Sequence, residues 1–369
     1  MRKTKKALAG GLVALLASAT LAACGEAPED NDSGNGGEAK SDFQPCIVSD
    51  AGGFDDKSFN QLGYEGAKQA ADELGAELTS VESNSDADFG PNLESLVSQG
   101  CDVIVTVGFA LAAATKESAK ANPYIEYVLI DDAADGGDDG QTFDGKADVE
   151  NIKPLLYDTS QAAFLAGYAA AAYSKTGKVG TYGGMPFPTV TIFMDGFKQG
   201  AEYYAQEKGK DIKVVGWNGK NGSFTGGFEA NEAATSTAKQ VLDQDVDVIL
   251  PVGGPIYQGA ITAIEDSGKD IAMIGVDADL YETDPTTQPY VLTSILKGMK
   301  VSTYEAVLAA GNDEFDFDAY IGTLENDGVG IAPFHNFEDK VDEGLQAELD
   351  EVKAGIIDGS IKVTSYLNQ

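Results

Sequence analysis

Histidine is almost missing from this chain, with only His335 among 369 residues. That imidazole stands far along the sequence from the apolar runs that predict strands. No Ser or Cys has a basic partner in a nucleophile motif, so general acid–base and nucleophilic catalysis are left with few candidates. No glycine loop followed by Lys is present, and "GGPIYQG" (residues 253–259) lacks the Gly-x-Gly-x-x-Gly spacing, which removes the usual phosphate cradles. Bases are scarce: 25 Lys and Arg face 60 Asp and Glu, a formal charge of −35. A surface of that sign repels phosphate backbones and anionic headgroups, so no nucleic-acid partner is expected, and the acidity reads as solvation in a salty or protein-dense setting. The acidic loop within residues 131–144 misses the EF-hand pattern because Ala133 stands where a second ligand belongs. No metal site and no cofactor are expected. An enzyme is not expected either.

Long apolar runs are also few, and the clearest is Ala7–Ala23 behind Arg2, Lys3, Lys5 and Lys6. It is short for a membrane span and ends in small residues, the pattern of a secretory signal over residues 1–23. Leu21-Ala22-Ala23-Cys24 resembles a bacterial lipobox, whose Cys is diacylated and becomes the new N-terminus, so Cys24 is the expected lipid anchor on the outer face of the cell membrane. Residues 24–42 hold almost no apolar side chains and bury too little to offset their ordering entropy, which predicts a flexible acidic tether.

What is present is 43% apolar content in a chain long enough for two lobes. "CIVSD", "AELTSV", "CDVIVTVG" and "IEYVLIDD" are short β-branched runs separated by helix-like segments, and the alternation resumes with "KVGTYGG", "IKVVGW", "VDVILPVGG" and "IAMIGVD". The fold class is α/β, with two Rossmann-like lobes built on parallel sheets. The halves repeat one another: Asp-Val-Ile opens a strand ending in Val-Gly, a helix follows, and a second strand ends at Asp131 or Asp277. Carboxyl ends of strands in open α/β sheets are where ligands bind, so the two aspartates are expected in one cleft.

The first strand leads into "SDAGGFDDKSFNQLG". Gly52 and Gly53 permit a tight exit, and Ser58 with Gln61 has capping-box spacing at the start of a helix. Leu62, Gly66, Ala70 and Leu74 recur at helical spacing, and Gly75 stops the helix. Asp50, Phe59 and Asn60 are thereby placed at a strand end and a helix N-terminus, over the same cleft.

"DAGGFDDKSFNQLGYEGA", "GGMPFPTVTIFMDGFKQGA", "GSFTGGF", "VDVILPVGG", "IGVDAD" and "VLTSILKG" together resemble the basic membrane protein family of substrate-binding lipoproteins, purine nucleoside receptors of ABC importers, from about residue 44 to the C-terminus. The resemblance implies a type I periplasmic-binding-protein fold with three crossings. Residues 43–159 and 291–329 would form the N-terminal lobe, and 160–290 and 330–369 the C-terminal lobe. It implies that Phe59 and Phe224 sandwich a base, that Asp131 and Asn60 bond its polar edge, that Asp277 and Lys297 hold ribose hydroxyls, and that Gly253 and Gly254 let the backbone approach the sugar. Asp50 lies in the same turn. Members often carry Asp-Pro after the Phe of "GSFTGGFEA", which this chain lacks, so Phe228 is the alternative ring to Phe224. Lys297 is expected just after a crossing, so that it and Asp277 approach the sugar from opposite lobes; the alternative is a salt bridge between them.

In a lobe with strand order 2-1-3-4, Cys46 and Cys101 stand at the amino ends of neighbouring strands and can form a disulfide, the alternative being paired thiols. The expected function is extracytoplasmic capture of a nucleoside by a monomer whose lobes close and present it to an ABC permease. The alternatives are a flavin or sugar in the same fold, a nucleoside hydrolase using Asp131, or a surface lipoprotein in adhesion or signalling.

Overall fold

The computed structural model describes residues 42–136 and 147–367. Cys24, the signal and nearly all of the tether lie outside the described residues, as does the greater part of the acidic loop. The first sheet is made by β1 (Pro45–Ser49), β2 (Thr79–Val81), β3 (Val103–Val107), β4 (Glu126–Ile130) and β5 (Ile152–Tyr157), with α1 (Phe59–Glu73), α2 (Phe89–Ser98) and α3 (Ala112–Ala121) between them. After α4 (Thr159–Tyr173) come β6 (Lys178–Gly183), α5 (Pro188–Lys208), β7 (Lys213–Val215), α6 (Glu232–Leu242), β8 (Val248–Val252), α7 (Tyr257–Ser267), β9 (Ala272–Asp277) and α8 (Leu280–Thr283). The chain ends with β10 (Val291–Lys297), α9 (Met299–Gly311), β11 (Tyr320–Gly322), β12 (Val329–Ile331) and α10 (Leu345–Ile357).

Two six-stranded sheets result, ordered β11-β5-β4-β3-β1-β2 and β12-β10-β9-β8-β6-β7. Every pairing is parallel except β10 with β12. The central strands β1, β3 and β8 are buried at every position because helices cover both faces of the sheets, which is why their sequences read as unbroken apolar runs.

The chain passes between sheets after Tyr157, again at Gly298, and a third time between Gly322 and Val329. The expected boundary at Val291 is therefore displaced. β10 lies in the second sheet, paired in parallel with β9 in a register that sets Leu296 against Asp277. A hydrophobic strand of seven residues is buried by pairing with β9, and the chain is free to leave only where it ends, at Lys297.

Small residues set the helix contacts. A Cβ on Gly200 of α5 would lie 1.9 Å from the Phe164 carbonyl oxygen of α4, and one on Gly66 of α1 would lie 2.3 Å from the Lys300 carbonyl of α9. Close approach of α1 and α9 ties the returning segment to the first lobe. Cys46 and Cys101 are joined as a disulfide, with Cα atoms 5.9 Å apart, at the amino end of β1 and just before β3. No helix of the described residues is long and apolar enough to cross a membrane.

Candidate functional site

The cleft between the sheets holds a cavity of about 440 Å³, in the usual range for a small-molecule site. Asp50, Phe59, Asn60, Asp131, Gly253, Gly254, Asp277 and Lys297 all line it; Phe224 does not. The β-bridge of Phe224 to Gly183 extends the β6 edge and holds its side chain against Trp217, with ring centroids 6.2 Å apart. Phe228 lines the cavity instead, as do Phe109, Phe187 and Phe193. Phe109 from the first lobe and Phe187 from the second meet at 5.0 Å, and Phe187 lies 5.9 Å from Phe228.

Asp131 and Asp277 occupy matching places, each at the carboxyl edge of its sheet, 7% and 6% exposed, and each in the left-handed region at φ 71° and 67°. Non-glycine residues hold that conformation only where surrounding structure imposes it, and such strain gathers at binding sites. Between them stands Lys297, 5% exposed. Its Nζ donates to Asp131 Oδ2 at 2.6 Å and lies 3.7 Å from Asp277 Oδ1. The rings of Phe59, Tyr157 and Phe193 surround the ammonium at 4.9, 5.3 and 5.4 Å.

This geometry corrects one expectation. Asp277 and Lys297 do not come from opposite lobes, because β9 and β10 are adjacent strands of one sheet; within this row the contact that joins the lobes is Lys297 with Asp131. Asp131, expected beside Asn60 at the polar edge of a base, accepts from this lysine, while Asn60 donates to Asp50 and Asp56. Burial raises the Asp131 carboxyl above the ordinary carboxylate value, with Lys297 pulling it down. Burial likewise lifts Asp277 to about 6, opposed by Lys297 and reinforced by Asp131 and Asp56.

The start of α1 is built differently from the expected capping box. Ser58 makes no side-chain cap. Asp56, missed in the sequence reading, accepts from the backbone N–H of Ser58 at 3.0 Å, Asn60 at 2.8 Å and Gln61 at 3.1 Å. The Ser58 hydroxyl is thereby released to cross the cleft, donating to the Val276 carbonyl at 3.0 Å and Asp277 Oδ2 at 3.3 Å. Thr283 Oγ1 donates across it to the Lys57 carbonyl at 2.8 Å. Asp56 stands two residues before the N-cap position, outside the spacing of a capping residue, so the sequence carried no simple signal for it. Phe109 was legible, since it follows Val-Gly where Gly254 stands in the second half.

Asn60 donates from Nδ2 to Asp50 Oδ1 at 2.8 Å and to Asp56 Oδ2 at 3.2 Å. Asp50 also accepts from Gly52 N–H at 3.1 Å. Burial raises its carboxyl to about 6, opposed by those bonds from Asn60 and Gly52 and reinforced by Asp56 and Asp131. Gly253, at φ 141°, makes room for the Phe228 ring, which a Cβ would meet at 2.7 Å; Gly254, at φ 50°, faces the cavity. His335, expected to be remote, lies near the edge of the second sheet: its Nε2 is 2.7 Å from Asp279, two residues past β9, and its ring stacks on Tyr281 at 4.0 Å.

Two parallel α/β lobes, three crossings and a cleft lined by both define a solute-binding protein of the type I fold. The chain belongs to the family described as ABC transporter substrate-binding protein, PnrA-like, whose model matches residues 43–364. It is 28% identical to the ABC transporter nucleoside-binding protein BmpA of Lactococcus lactis, over 98% of this chain and 99% of that protein. It is 30% identical to basic membrane protein A of Borreliella burgdorferi, over 85% of this chain and 86% of the relative. It is also 30% identical to an uncharacterised lipoprotein of Pyrococcus abyssi, over 88% and 76% respectively. Among solved structures, an ABC transporter solute-binding protein of Aeropyrum pernix K1 superposes with a TM-score of 0.76 at 25% identity, covering 89% of this chain and 94% of that one. As an ABC substrate-binding protein it works on the extracytoplasmic side.

Proposed function

We propose that the cleft binds a purine nucleoside, closes over it and presents it to an ABC permease while Cys24 holds the protein to the membrane by lipid. The observation that carries the reading is the combination of apolar rings with a buried carboxylate–lysine–carboxylate row in one cavity. Phe59, with Phe228 or Phe109 opposite, offers flat faces for a base. Asp277 and Lys297 offer charge-assisted hydrogen bonds to ribose hydroxyls, and Asp131 holds the lysine in place. A phosphate finds no arginine fork, since no arginine follows Arg2, and it meets six cavity carboxylates, Asp50, Asp56, Asp86, Asp131, Glu229 and Asp277. The nucleoside-binding relative and the lipoprotein among the relatives agree with both parts of the reading.

Calorimetry on wild type and Asp277→Ala with a ribonucleoside and its free base tests the site. Losing bonds to the sugar is expected to weaken the nucleoside by about ten- to a hundredfold and leave the free base unchanged. Equal loss for both would remove the ribose from this end of the cleft. Cys24→Ala is expected to move the protein from the membrane fraction to the medium, and unchanged fractionation would refute the anchor.

A further inference from the structure

We infer that Asp279, Glu282 and His335 form a binding site for a divalent transition-metal ion of the zinc class on the second lobe. The inference is independent of what the cleft between the lobes binds.

The sequence shows no metal pattern because its single imidazole arrives 56 residues after Asp279. Folding removes that separation. Asp279 follows β9 and caps α8, Glu282 lies one turn further along α8, and His335 stands between β12 and α10. One ligand atom from each, two carboxylate oxygens and a ring nitrogen, lies within 4.8 Å of the other two. The closest pair, Asp279 Oδ2 and His335 Nε2, is 2.7 Å apart. Ligand atoms held at about 2.0–2.1 Å from a zinc ion stand roughly 3 Å or a little more from one another. This pair therefore parts by a few tenths of an ångström to admit the ion, and Glu282 closes in. Glu282 has that freedom, since it is exposed and no hydrogen bond or ion pair of its carboxylate is found among the described residues.

Groups around the triad hold its other two members in place. Asp279 Oδ1 accepts from the Tyr281 N–H at 3.2 Å, which leaves Oδ2 to the imidazole. The Tyr281 ring stacks on the imidazole at 4.0 Å with planes 5° apart, and its hydroxyl donates to Asn336 Oδ1 at 3.2 Å. Gln288 Nε2 donates to the Tyr281 carbonyl at 3.1 Å, and Asn336 Nδ2 donates to the Gln288 carbonyl at 3.4 Å. Supporting contacts of this kind set ring orientation and ligand position before a metal arrives.

The donor set selects the ion. Asp279 and Glu282 repel one another, and no lysine pairs with either among the described residues, so a dication between them relieves the repulsion. An imidazole nitrogen favours zinc, nickel or copper over calcium and magnesium, which take oxygen ligands. Three protein ligands leave the remaining positions to water. Ions have a route in, because Asp279 and Glu282 line a second cavity of about 560 Å³ beside the crossings at Gly298 and Val329.

The test is calorimetric titration of the full mature chain with zinc chloride at pH 7.5, in excess magnesium to mask the many surface carboxylates. Wild type is expected to take up one zinc ion saturably and to melt at a higher temperature with it, whereas calcium does neither. Glu282→Gln and His335→Ala are each expected to weaken zinc by about tenfold or more and to reduce the melting shift. Glu282 is exposed, so its variant decides the matter should His335→Ala fail to fold. The inference is overturned if wild type shows no saturable uptake, or if calcium binds as tightly as zinc. It is equally overturned if the folded variants bind zinc as wild type does, which would mean adventitious binding to surface acid only.

Discussion

At Lys297 one buried ammonium faces Asp131 and Asp277, and four more carboxylates, Asp50, Asp56, Asp86 and Glu229, line the same cavity. This surplus of acid has a consequence for stability. A carboxyl whose pKa is raised by folding holds its proton more readily in the native state, so its contribution favours folding as pH falls, and is complete below the unfolded value. For Asp277, raised from 3.8 to about 6, the window runs from pH 7 down to about 4. A shift of that size corresponds to roughly 3 kcal/mol. The groups that face it are Lys297, Asp131, Asp56 and Ser58. Urea denaturation of wild type and Asp277→Asn at pH 7.5 and pH 4.5 measures this. Wild type is expected to gain about 2 kcal/mol more than the variant on acidification, because pH 4.5 still lies above the unfolded value, and parallel pH dependence would show that Asp277 is not strained by its charge.

At the level of the element, the turn before α1 separates two jobs that the sequence pattern had merged. Asp56 caps the helix; Ser58, in the position expected of a cap, reaches to the other lobe. Asp56→Ala should therefore lower stability by about 1–2 kcal/mol and also weaken ligand binding, because Asn60 loses one of the two carboxylates that orient it. Ser58→Ala should leave the helix content and melting nearly unchanged while reducing the fraction of closed molecules. Circular dichroism with small-angle scattering on the two variants distinguishes these outcomes. A large loss of helix stability in Ser58→Ala would restore the capping-box reading.

For the whole molecule, the cleft lies between lobes that fold around separate sheets. Ser58 with Val276 and Asp277, Thr283 with Lys57, Lys297 with Asp131 and Phe109 with Phe187 are contacts between the lobes that the proposed opening would break. The disulfide lies within the first lobe and does not restrain this motion. It closes a span of 55 residues, for which the chain-entropy model gives about 4 kcal/mol. The Cys46→Ala/Cys101→Ala double variant is expected to lose stability of that order in denaturant with its ligand affinity kept. A matching loss of affinity would mean that the first lobe's ligand edge depends on the bond.

Most of the fold was legible because its signals are local. Apolar β-branched runs alternate with helical periodicity, and the repeated Asp-Val-Ile…Val-Gly unit marks both sheets and sets Asp131 and Asp277 at equivalent strand ends. The lining of the candidate cleft was legible where a type and a position coincide, as at Asp50, Phe59 and Asn60, while Lys297 was expected there only from the family resemblance. Tertiary structure alone decided how those residues are grouped. The pairing of β10 with β9 put Lys297 in the same lobe as Asp277 and left it to bridge to Asp131. The bridge of Phe224 to Gly183 turned that ring toward Trp217 and left Phe228 to line the cavity. Two carboxylates from separate positions fixed the direction of one amide. Each of these outcomes depends on which strand, edge or oxygen lies alongside, and spacing along the chain carries no record of it.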